Sequence, residues 1–255
     1  MQITTTDQLA SARGIKVLVF GPSGSGKTRL ISTMSRTPAE DTLIVSAEAG
    51  LLSLRDFSIR AVEVHGVQDL RDVLTYVRSP EGAWVKNLAL DSISEIAEVV
   101  LAAEKMATTE GGKPMHGAKA YGEMGDVMAR ILRAFRDLPG PNVYFSAKMD
   151  RNATDEGIFI GPSMPGKKLA QGLAYWFDEV FALRVAPPAQ EGGRAQRWLQ
   201  TANDGIYDCK DRSGALALTE PAHLGRLFAK INGESAALPT HDNNPTHDTN
   251  EVDNG

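Results

Sequence analysis

The sequence has few of the features that mark secreted and membrane proteins. It contains one cysteine, Cys209, so no disulfide can form within the chain, as is usual in a reducing compartment. No apolar run reaches the roughly 18 residues that a membrane helix needs. The first residues, MQITTTDQLASARG, lack the basic and apolar regions of a signal peptide. We therefore expect a soluble cytoplasmic protein that does not enter a membrane.

The sequence also lacks an excess of basic charge, since its formal net charge is −5. This argues against a broadly basic nucleic-acid-binding surface, although a local basic groove is compatible with the total. Residues 232–255 carry five acidic side chains and no Lys or Arg, which accounts for the whole net charge. This polar segment has too little apolar surface to order itself, so it predicts a disordered acidic tail. The remainder divides into a short N-terminal segment, 1–14, and one domain, 15–231.

Short apolar runs alternate with helical patterns along this domain. The runs predict strands at 15–20, 42–46, 60–64, 87–90, 142–146 and 179–185. The helical patterns lie at 27–34, 67–77, 94–106, 123–138 and 168–177. This alternation predicts an α/β fold, a mostly parallel doubly wound sheet with helices on both faces. Residues 197–201 and 206–209, around the turn residues Asn-Asp-Gly, predict a C-terminal antiparallel edge hairpin.

The residues GPSGSGKT, 21–28, fit the phosphate-binding pattern G-x-x-x-x-G-K-[ST] between an apolar run and a helical pattern. Its glycines let the backbone curl so that N–H groups point at phosphate oxygens, and the helix N-terminus adds its positive end. We expect Lys27 to neutralise the β- and γ-phosphates of ATP, and the Thr28 hydroxyl to bind Mg²⁺. The predicted nucleotide-binding residues are Gly21, Pro22, Ser23, Gly24, Ser25, Gly26, Lys27, Thr28 and Arg29.

Two acidic residues complete the predicted site. Asp91 ends the apolar run 88–90 and is expected to provide the second Mg²⁺ ligand; alternatively, Asp91 caps the helix that follows. Many P-loop ATPases place a water-orienting Glu next to this Asp, but the next residue here is Ser92. Glu48, at the end of an earlier strand, is therefore the candidate base. The alternative for Glu48 is an acidic residue that favours the start of a helix.

The order of these residues resembles the RecA-like recombinase group. In that group the catalytic Glu follows the strand after the P-loop helix, and a later strand ends in Asp-Ser; Glu48 in SAEAG and Asp91-Ser92 match these positions. Because the P-loop begins at Gly21, the chain looks like the core-only, phage-encoded RecA-like ATPases, some of which promote single-strand annealing. The resemblance covers about residues 13–231 and implies a RecA-like P-loop NTPase core with ATP and Mg²⁺ as cofactors.

The resemblance also implies a nucleic-acid partner. RecA-like proteins bind single-stranded DNA through two mobile loops, and the segments 104–122 and 149–167 occupy similar places. Basic side chains would follow the phosphates and aromatic side chains would stack on bases. Acidic residues dilute the charge of both segments, so ordinary solvated loops are the alternative. The family's polar sensor before the second loop corresponds to Ser146 or Lys148.

Lys210 and Arg212 suggest an oligomer by the same resemblance. They are two residues apart, and they are similar to paired basic residues that reach the γ-phosphate of a neighbouring subunit. The resemblance therefore implies a homo-oligomer, a ring or a filament, with Lys210 and Arg212 joining Lys27 and Glu48 as catalytic residues. Exposed edge charges are the alternative. A single-strand-binding protein is a further expected partner.

The sequence thus predicts an ATPase that acts on single-stranded DNA in phage recombination or annealing. Three alternatives stay open: a DNA-binding assembly protein for which ATP is mainly a structural ligand, a small-molecule or nucleotide kinase, and a helicase or motor subunit.

Overall fold

The computed structural model describes residues 13–47, 51–106, 117–154, 157–188 and 193–234, together with positions 4, 5, 8 and 190. Within these residues, no helix has the length and apolar character needed to cross a membrane.

Ten strands of the described residues form one sheet. They are β1 (Lys16–Gly21), β2 (Thr42–Ser46), β3 (Arg60–Glu63), β4 (Asn87–Asp91), β5 (Asn142–Thr154), β6 (Gly157–Ser163), β7 (Glu179–Ala186), β8 (Gln196–Gln200), β9 (Lys210–Asp211) and β10 (Thr219–Pro221). Their order is β10-β8-β7-β1-β5-β4-β2-β3, with β6 paired to β5 and β9 paired to β7. The six strands from β7 to β3 are mutually parallel, whereas β8 and β10 are antiparallel to their neighbours. The predicted α/β fold, mostly parallel with an antiparallel edge, is confirmed.

Helices follow most of the parallel strands. They are α1 (Lys27–Leu30), α2 (Pro38–Asp41), α3 (Val67–Arg78), α4 (Ile93–Met106), α5 (Gly117–Arg136), α6 (Lys167–Leu173) and α7 (Leu224–Ile231), with 3₁₀ turns at Ile31–Thr33, Leu51–Phe57, Pro80–Gly82 and Ala174–Trp176.

Alternate residues of the central strand pack into two separate layers. Leu18 and Phe20 of β1 join a core formed with α3 to α6, whereas Val17 and Val19 join a second core formed with α1 and α7. Successive side chains of a strand point to opposite faces, so a strand that is apolar at every position must be covered on both sides. The sheet is therefore covered on both faces, which leaves its carboxyl edge, where the P-loop lies, accessible to a ligand.

Several predicted loops are regular structure. The segment 104–122 is helical at both ends, because α4 continues to Met106 and α5 begins at Gly117; only 107–116 lie outside the described residues. The segment 149–167 is mainly a β-hairpin, in which β5 pairs antiparallel with β6 from Lys148↔Ser163 to Thr154↔Gly157. The prediction of a long loop there was wrong, because ladder pairing between the two arms overrides the local turn signals of Gly, Pro and Asp.

The predicted partner of the C-terminal edge strand was also wrong. Strand β8 pairs with β7 on one side and β10 on the other, so it has no free edge for residues 206–209. Those residues lie beside β6 instead, where the Ile160 N–H donates to the Ile206 carbonyl at 2.7 Å and the Asp208 N–H donates to the Ile160 carbonyl at 2.8 Å.

Candidate active site

The P-loop leaves β1 at the carboxyl edge of the sheet and turns into α1. Gly24 and Gly26 have φ angles of 70° and 103°, a backbone conformation that residues with a Cβ rarely adopt. The Lys27 Nζ donates to the carbonyls of Gly21 at 2.9 Å and Pro22 at 3.0 Å, so its ammonium group lies over the loop. The Ser25 Oγ is buried without a hydrogen-bond partner among the described residues. The loop therefore has the shape and charge of an anion-binding site.

Asp91 lies beside this loop, at the end of β4. Its carboxylate accepts a hydrogen bond from the Thr28 hydroxyl at 2.7 Å and a second, short one from the Ser146 hydroxyl of β5. The side chain is buried, and its hydrogen bonds go to hydroxyl groups instead of to backbone N–H groups of α4. Ser92 makes the capping contact, since its Oγ accepts from the Glu95 N–H at 3.3 Å. The alternative of Asp91 as a helix cap is therefore wrong.

Tyr144 of β5 is hydrogen-bonded to the helix α1 that follows the P-loop. Its hydroxyl donates to the Lys27 carbonyl at 3.0 Å, and its ring is fully buried. Burial, followed by the charge of Asp91, raises the pKa of the Tyr144 phenol well above its ordinary value. The phenol therefore stays protonated and remains a hydrogen-bond donor that joins α1 to β5.

The two sensor candidates have different surroundings. Ser146 is buried and donates to Asp91, whereas Lys148 lines a cleft of about 490 Å³ together with Lys27, Thr28 and Asp91. The position of Lys148 in the cleft follows from the strand register, because Lys148 pairs with Gly21, the first P-loop residue. The Lys148 ammonium forms an ion pair with Glu95 on the first turn of α4. Of the two, Lys148 is the side chain that borders the phosphate-binding loop.

The carboxyl end of β2 lies beside the predicted metal ligand. Ser46 pairs with Asp91 in parallel register, so the chain leaves β2 at the same edge of the sheet as Asp91. Glu48, the predicted base, lies outside the described residues.

Lys210 and Arg212 do not reach the P-loop of their own chain. Lys210 pairs with Val180 of β7, which is level with Leu18 of β1, three positions before the P-loop. The Lys210 Nζ donates to the Ala174 carbonyl at 2.9 Å, and Arg212 forms an ion pair with Asp178 at 2.5 Å. Burial, followed by the charge of Arg212, lowers the pKa of Lys210. Both cations are held by contacts within the chain, and neither lines the cleft that contains Lys27 and Asp91.

The described parts of the two predicted DNA segments are close to each other. The Lys105 ammonium lies 5.2 Å from the centroid of the Tyr121 ring, which joins the end of α4 to the first turns of α5. Gly166, the residue before α6, lies near the same ring. The described parts of the segments 104–122 and 149–167 therefore approach each other at one exposed tyrosine.

One arginine beside the P-loop was missed from the sequence. The Arg197 Nε, on strand β8, donates to the Ser25 carbonyl at 2.9 Å. No local pattern marks residue 197, because its position depends on the sheet order that places β7 and β8 after β1. Only the assembled sheet identifies it.

A family model described as an AAA domain matches residues 13–213. The match includes the P-loop, Asp91 and all the parallel strands. The chain belongs to this AAA domain family. The P-loop and the family together confirm the coarser part of the sequence prediction, a P-loop ATPase domain with a nucleotide-binding role. Phage origin and the annealing subgroup remain predictions.

Two solved structures are similar to this AAA domain. The RadB recombinase is 16% identical, with a TM-score of 0.38 and coverage of 76% of this chain and 92% of that chain. An ATPase from the type III secretion system of pathogenic bacteria is 14% identical, with a TM-score of 0.39 and coverage of 68% of this chain and 51% of that chain. Likenesses of this size carry no argument about function. Curated proteins gave no match.

Proposed function

We propose that this AAA domain binds Mg·ATP at the P-loop and hydrolyses it. The observation that carries the proposal is the Asp91 carboxylate, held 2.7 Å from the Thr28 hydroxyl at the start of α1. A hydroxyl and a carboxylate in this arrangement are the two protein groups that hold Mg²⁺ beside nucleotide phosphates. Among the described residues, no group of three or more His, Cys, Asp or Glu side chains could hold a metal ion. The pair formed by the Thr28 hydroxyl and the Asp91 carboxylate suits Mg²⁺, because Mg²⁺ keeps several water ligands and takes further ligands from phosphate oxygens.

Each proposed residue has one task in the reaction. Bound Mg²⁺ would neutralise charge on the β- and γ-phosphate oxygens. Thr28 and Asp91 would hold the ion, and the Ser146 hydroxyl keeps the Asp91 carboxylate in place. Lys27 exchanges its two carbonyl contacts for phosphate oxygens, and Glu48 orients the attacking water. Phosphoryl transfer depends on positioning and charge stabilisation, so these groups form a sufficient set with a cation from a neighbouring subunit.

We further propose that the ATPase acts on single-stranded DNA in phage recombination or annealing, as a homo-oligomer. Two observations support this proposal. In the first segment assigned to DNA, the Lys105 ammonium lies over the ring of the exposed Tyr121, which combines a stacking surface with a cation, and Gly166 of the second segment lies near the same ring. Lys210 and Arg212 lie away from their own cleft, which suits cations that act on the next subunit.

The structure gives the kinase alternative no support. Such kinases usually carry an arginine-rich lid over the phosphates, whereas Arg130, Arg133 and Arg136 are spaced like one face of a helix and lie in α5. The Arg133 guanidinium lies 4.4 Å from the Trp176 ring centroid, and Arg136 forms an ion pair with Asp137 at 2.8 Å. Neither lines the nucleotide cleft.

The test compares ATP hydrolysis with and without single-stranded DNA, in wild type and in Lys27→Ala. We expect wild-type hydrolysis that DNA stimulates, and a loss of at least about tenfold in Lys27→Ala because the phosphates lose their cation. The matched control is Lys86→Ala, on the opposite edge of the sheet, which should hydrolyse ATP at the wild-type rate.

The two parts of the proposal fail separately. Equal hydrolysis by Lys27→Ala and wild type would contradict the ATPase assignment. Hydrolysis that DNA does not stimulate, together with no retention on single-stranded DNA at low salt, would remove the DNA assignment and leave the ATPase.

A further inference from the structure

Arg197 contacts the P-loop from the side opposite Asp91. Asp91 belongs to β4, which lies beyond β5 on one side of β1, whereas Arg197 belongs to β8, which lies beyond β7 on the other side. The Arg197 Nε donates to the Ser25 carbonyl at 2.9 Å. A Cβ built on Gly26 would lie 3.3 Å from this Nε and 3.6 Å from the Arg197 Cδ. The arginine side chain therefore lies against the last two residues of the loop before Lys27.

Strand β8 holds this side chain in place. The strand is paired with β7 on one side and with β10 on the other. Arg197 and Leu199 are two residues apart in the strand, so they face the same side of the sheet. Leu199 is fully buried in the core that contains Leu30 and Ile31, at the end of α1. The Arg197 Nη1 also donates to the Ala195 carbonyl at 3.3 Å, just before the strand. One face of β8 therefore supports both the P-loop and the helix that follows it.

The carbonyl groups of the P-loop are bound in two different ways. The Lys27 ammonium donates to the carbonyls of Gly21 and Pro22, whereas the Ser25 carbonyl accepts from Arg197. Lys27 is also the proposed phosphate cation, so it would give up its carbonyl contacts when a nucleotide binds. Arg197 comes from a separate strand and binds a carbonyl oxygen, whereas a P-loop binds phosphate through its N–H groups. The Arg197 contact is therefore compatible with bound phosphate.

We infer that Arg197 is a positioning residue of the nucleotide site: its Nε–H holds the Ser25 carbonyl and so keeps the P-loop in the shape that binds phosphate. This inference rests on the proposed nucleotide binding at the P-loop. A loop that is already ordered loses less conformational freedom when its ligand binds. The gain is the same for the bound substrate and for the transition state, so Arg197 lowers the KM for Mg·ATP and leaves kcat unchanged.

Two substitutions of similar length separate the hydrogen bond from the positive charge. Arg197→Gln places an amide nitrogen the same number of bonds from the backbone as Nε, so it keeps a donor and loses the charge. Arg197→Met has a similar stem and no donor. The test measures equilibrium binding of ATP and of inorganic tripolyphosphate, each with Mg²⁺, and steady-state hydrolysis of ATP.

Arg197→Met should bind ATP and tripolyphosphate about tenfold more weakly than wild type, because a hydrogen bond from a charged donor is lost. Its KM for ATP should rise by a similar factor, and its kcat should change by less than about twofold. Tripolyphosphate has no nucleoside, so an equal loss for both ligands assigns the effect to the P-loop.

Arg197→Gln should bind both ligands within about threefold of wild type, because its amide can still donate to the Ser25 carbonyl. The matched control is Arg194→Met, which removes the same charge from an exposed residue outside β8. This control should bind both ligands like wild type.

Amide hydrogen exchange tests the order of the loop directly. In protein without nucleotide, a peptide that covers residues 21–29 should exchange at least about threefold faster in Arg197→Met than in wild type, because a less ordered backbone opens more often. A peptide from β4 should exchange equally in the two proteins. Thermal unfolding checks that each variant is folded.

The outcomes separate this inference from the function on which it rests. Wild-type affinity in Arg197→Met would overturn it, as would equal losses in Arg197→Met and Arg197→Gln, which would assign the effect to charge. A fall in kcat without a rise in KM would also overturn it. Failure of wild type to bind ATP and tripolyphosphate would instead defeat the proposed P-loop function. The exchange comparison would then decide alone whether Arg197 holds the loop, and equal exchange would overturn the inference.

Discussion

At the scale of single residues, the proposed hydrolysis mechanism depends most on Glu48. The position of β2 supports its role, because Ser46 lies in register with Asp91 and Glu48 follows two residues later. Glu95 is the first acidic residue after Asp91 in the sequence, and its carboxylate forms an ion pair with Lys148.

Glu48→Gln should keep ATP binding and slow hydrolysis by at least about tenfold, because the amide cannot take a proton from the attacking water. Steady-state hydrolysis and equilibrium ATP binding measure the two effects separately. Glu63→Gln makes the same change at an exposed position of the adjacent strand β3 and should behave like wild type. If Glu95→Gln lost more hydrolysis than Glu48→Gln, the base would be Glu95 of α4 instead of Glu48.

At the scale of elements, a pair of acidic residues joins β9 to β7. Glu179 lies directly opposite Asp211, and its residue surface is only 2% exposed. The Ser213 N–H donates to its Oε1 at 3.1 Å, whereas Oε2 has no partner unless it carries a proton that it can donate to Asp211. Burial, followed by the charge of Asp211, raises the pKa of Glu179 to about 8. The folded chain therefore keeps a proton here at neutral pH.

This proton makes stability depend on pH. The pKa of Glu179 is 4.5 when unperturbed and about 8 in the fold, so its stabilising contribution is complete below 4.5 and lost as pH rises through about 8. Glu179→Gln keeps the shape without the titrating proton. Urea unfolding at pH 6 and pH 9 should show wild type losing more stability than the variant across this interval. Parallel losses in the two proteins would contradict the assignment.

The elements differ in how well the sequence predicts them. Strands β1, β2, β4 and β7 lie within one residue of prediction, because they are buried on both faces and their apolar runs are continuous. The second half of β5 was missed, since it extends beyond its pairing with β1 and β4 and is paired with β6 instead. Such pairing depends on two segments at once, and a local pattern does not contain it.

At the scale of the whole molecule, the proposed oligomer makes a prediction that one subunit alone cannot satisfy. Suppose that Arg212 acts on the γ-phosphate bound by the neighbouring subunit. Arg212→Ala subunits then have an intact P-loop but no guanidinium to offer a neighbour. Lys27→Ala subunits have an impaired P-loop but still offer Arg212. Mixing the two variants should therefore restore hydrolysis above the sum of their separate rates. Arg226→Ala mixed with Lys27→Ala is the control for dilution. If oligomers form but hydrolysis does not recover, Arg212 is an exposed edge charge that does not act on the neighbouring subunit.

The candidate site is partly readable from the sequence for a physical reason. Gly21 to Thr28 form one contiguous motif, and Asp91 stands at a strand end where polar residues are conspicuous. Arg197, Tyr144 and the Lys148–Glu95 pair are brought to the same place only by the strand order and register. The groups proposed to bind phosphate are thus local in sequence, whereas the groups that hold them in position come from distant segments.

Strand β5 has a mechanical consequence of its own. Its 13 residues run without interruption from the amino edge of the sheet, past Ser146 and Lys148, to the tip of the β5–β6 hairpin. At roughly 3.3 Å per residue it is a rod of about 40 Å. A flexible loop would absorb a small shift at its base, whereas the ladder pairing of β5 with β6 holds the two strands together. We therefore expect a shift at Lys148, beside the P-loop, to be passed along the whole hairpin.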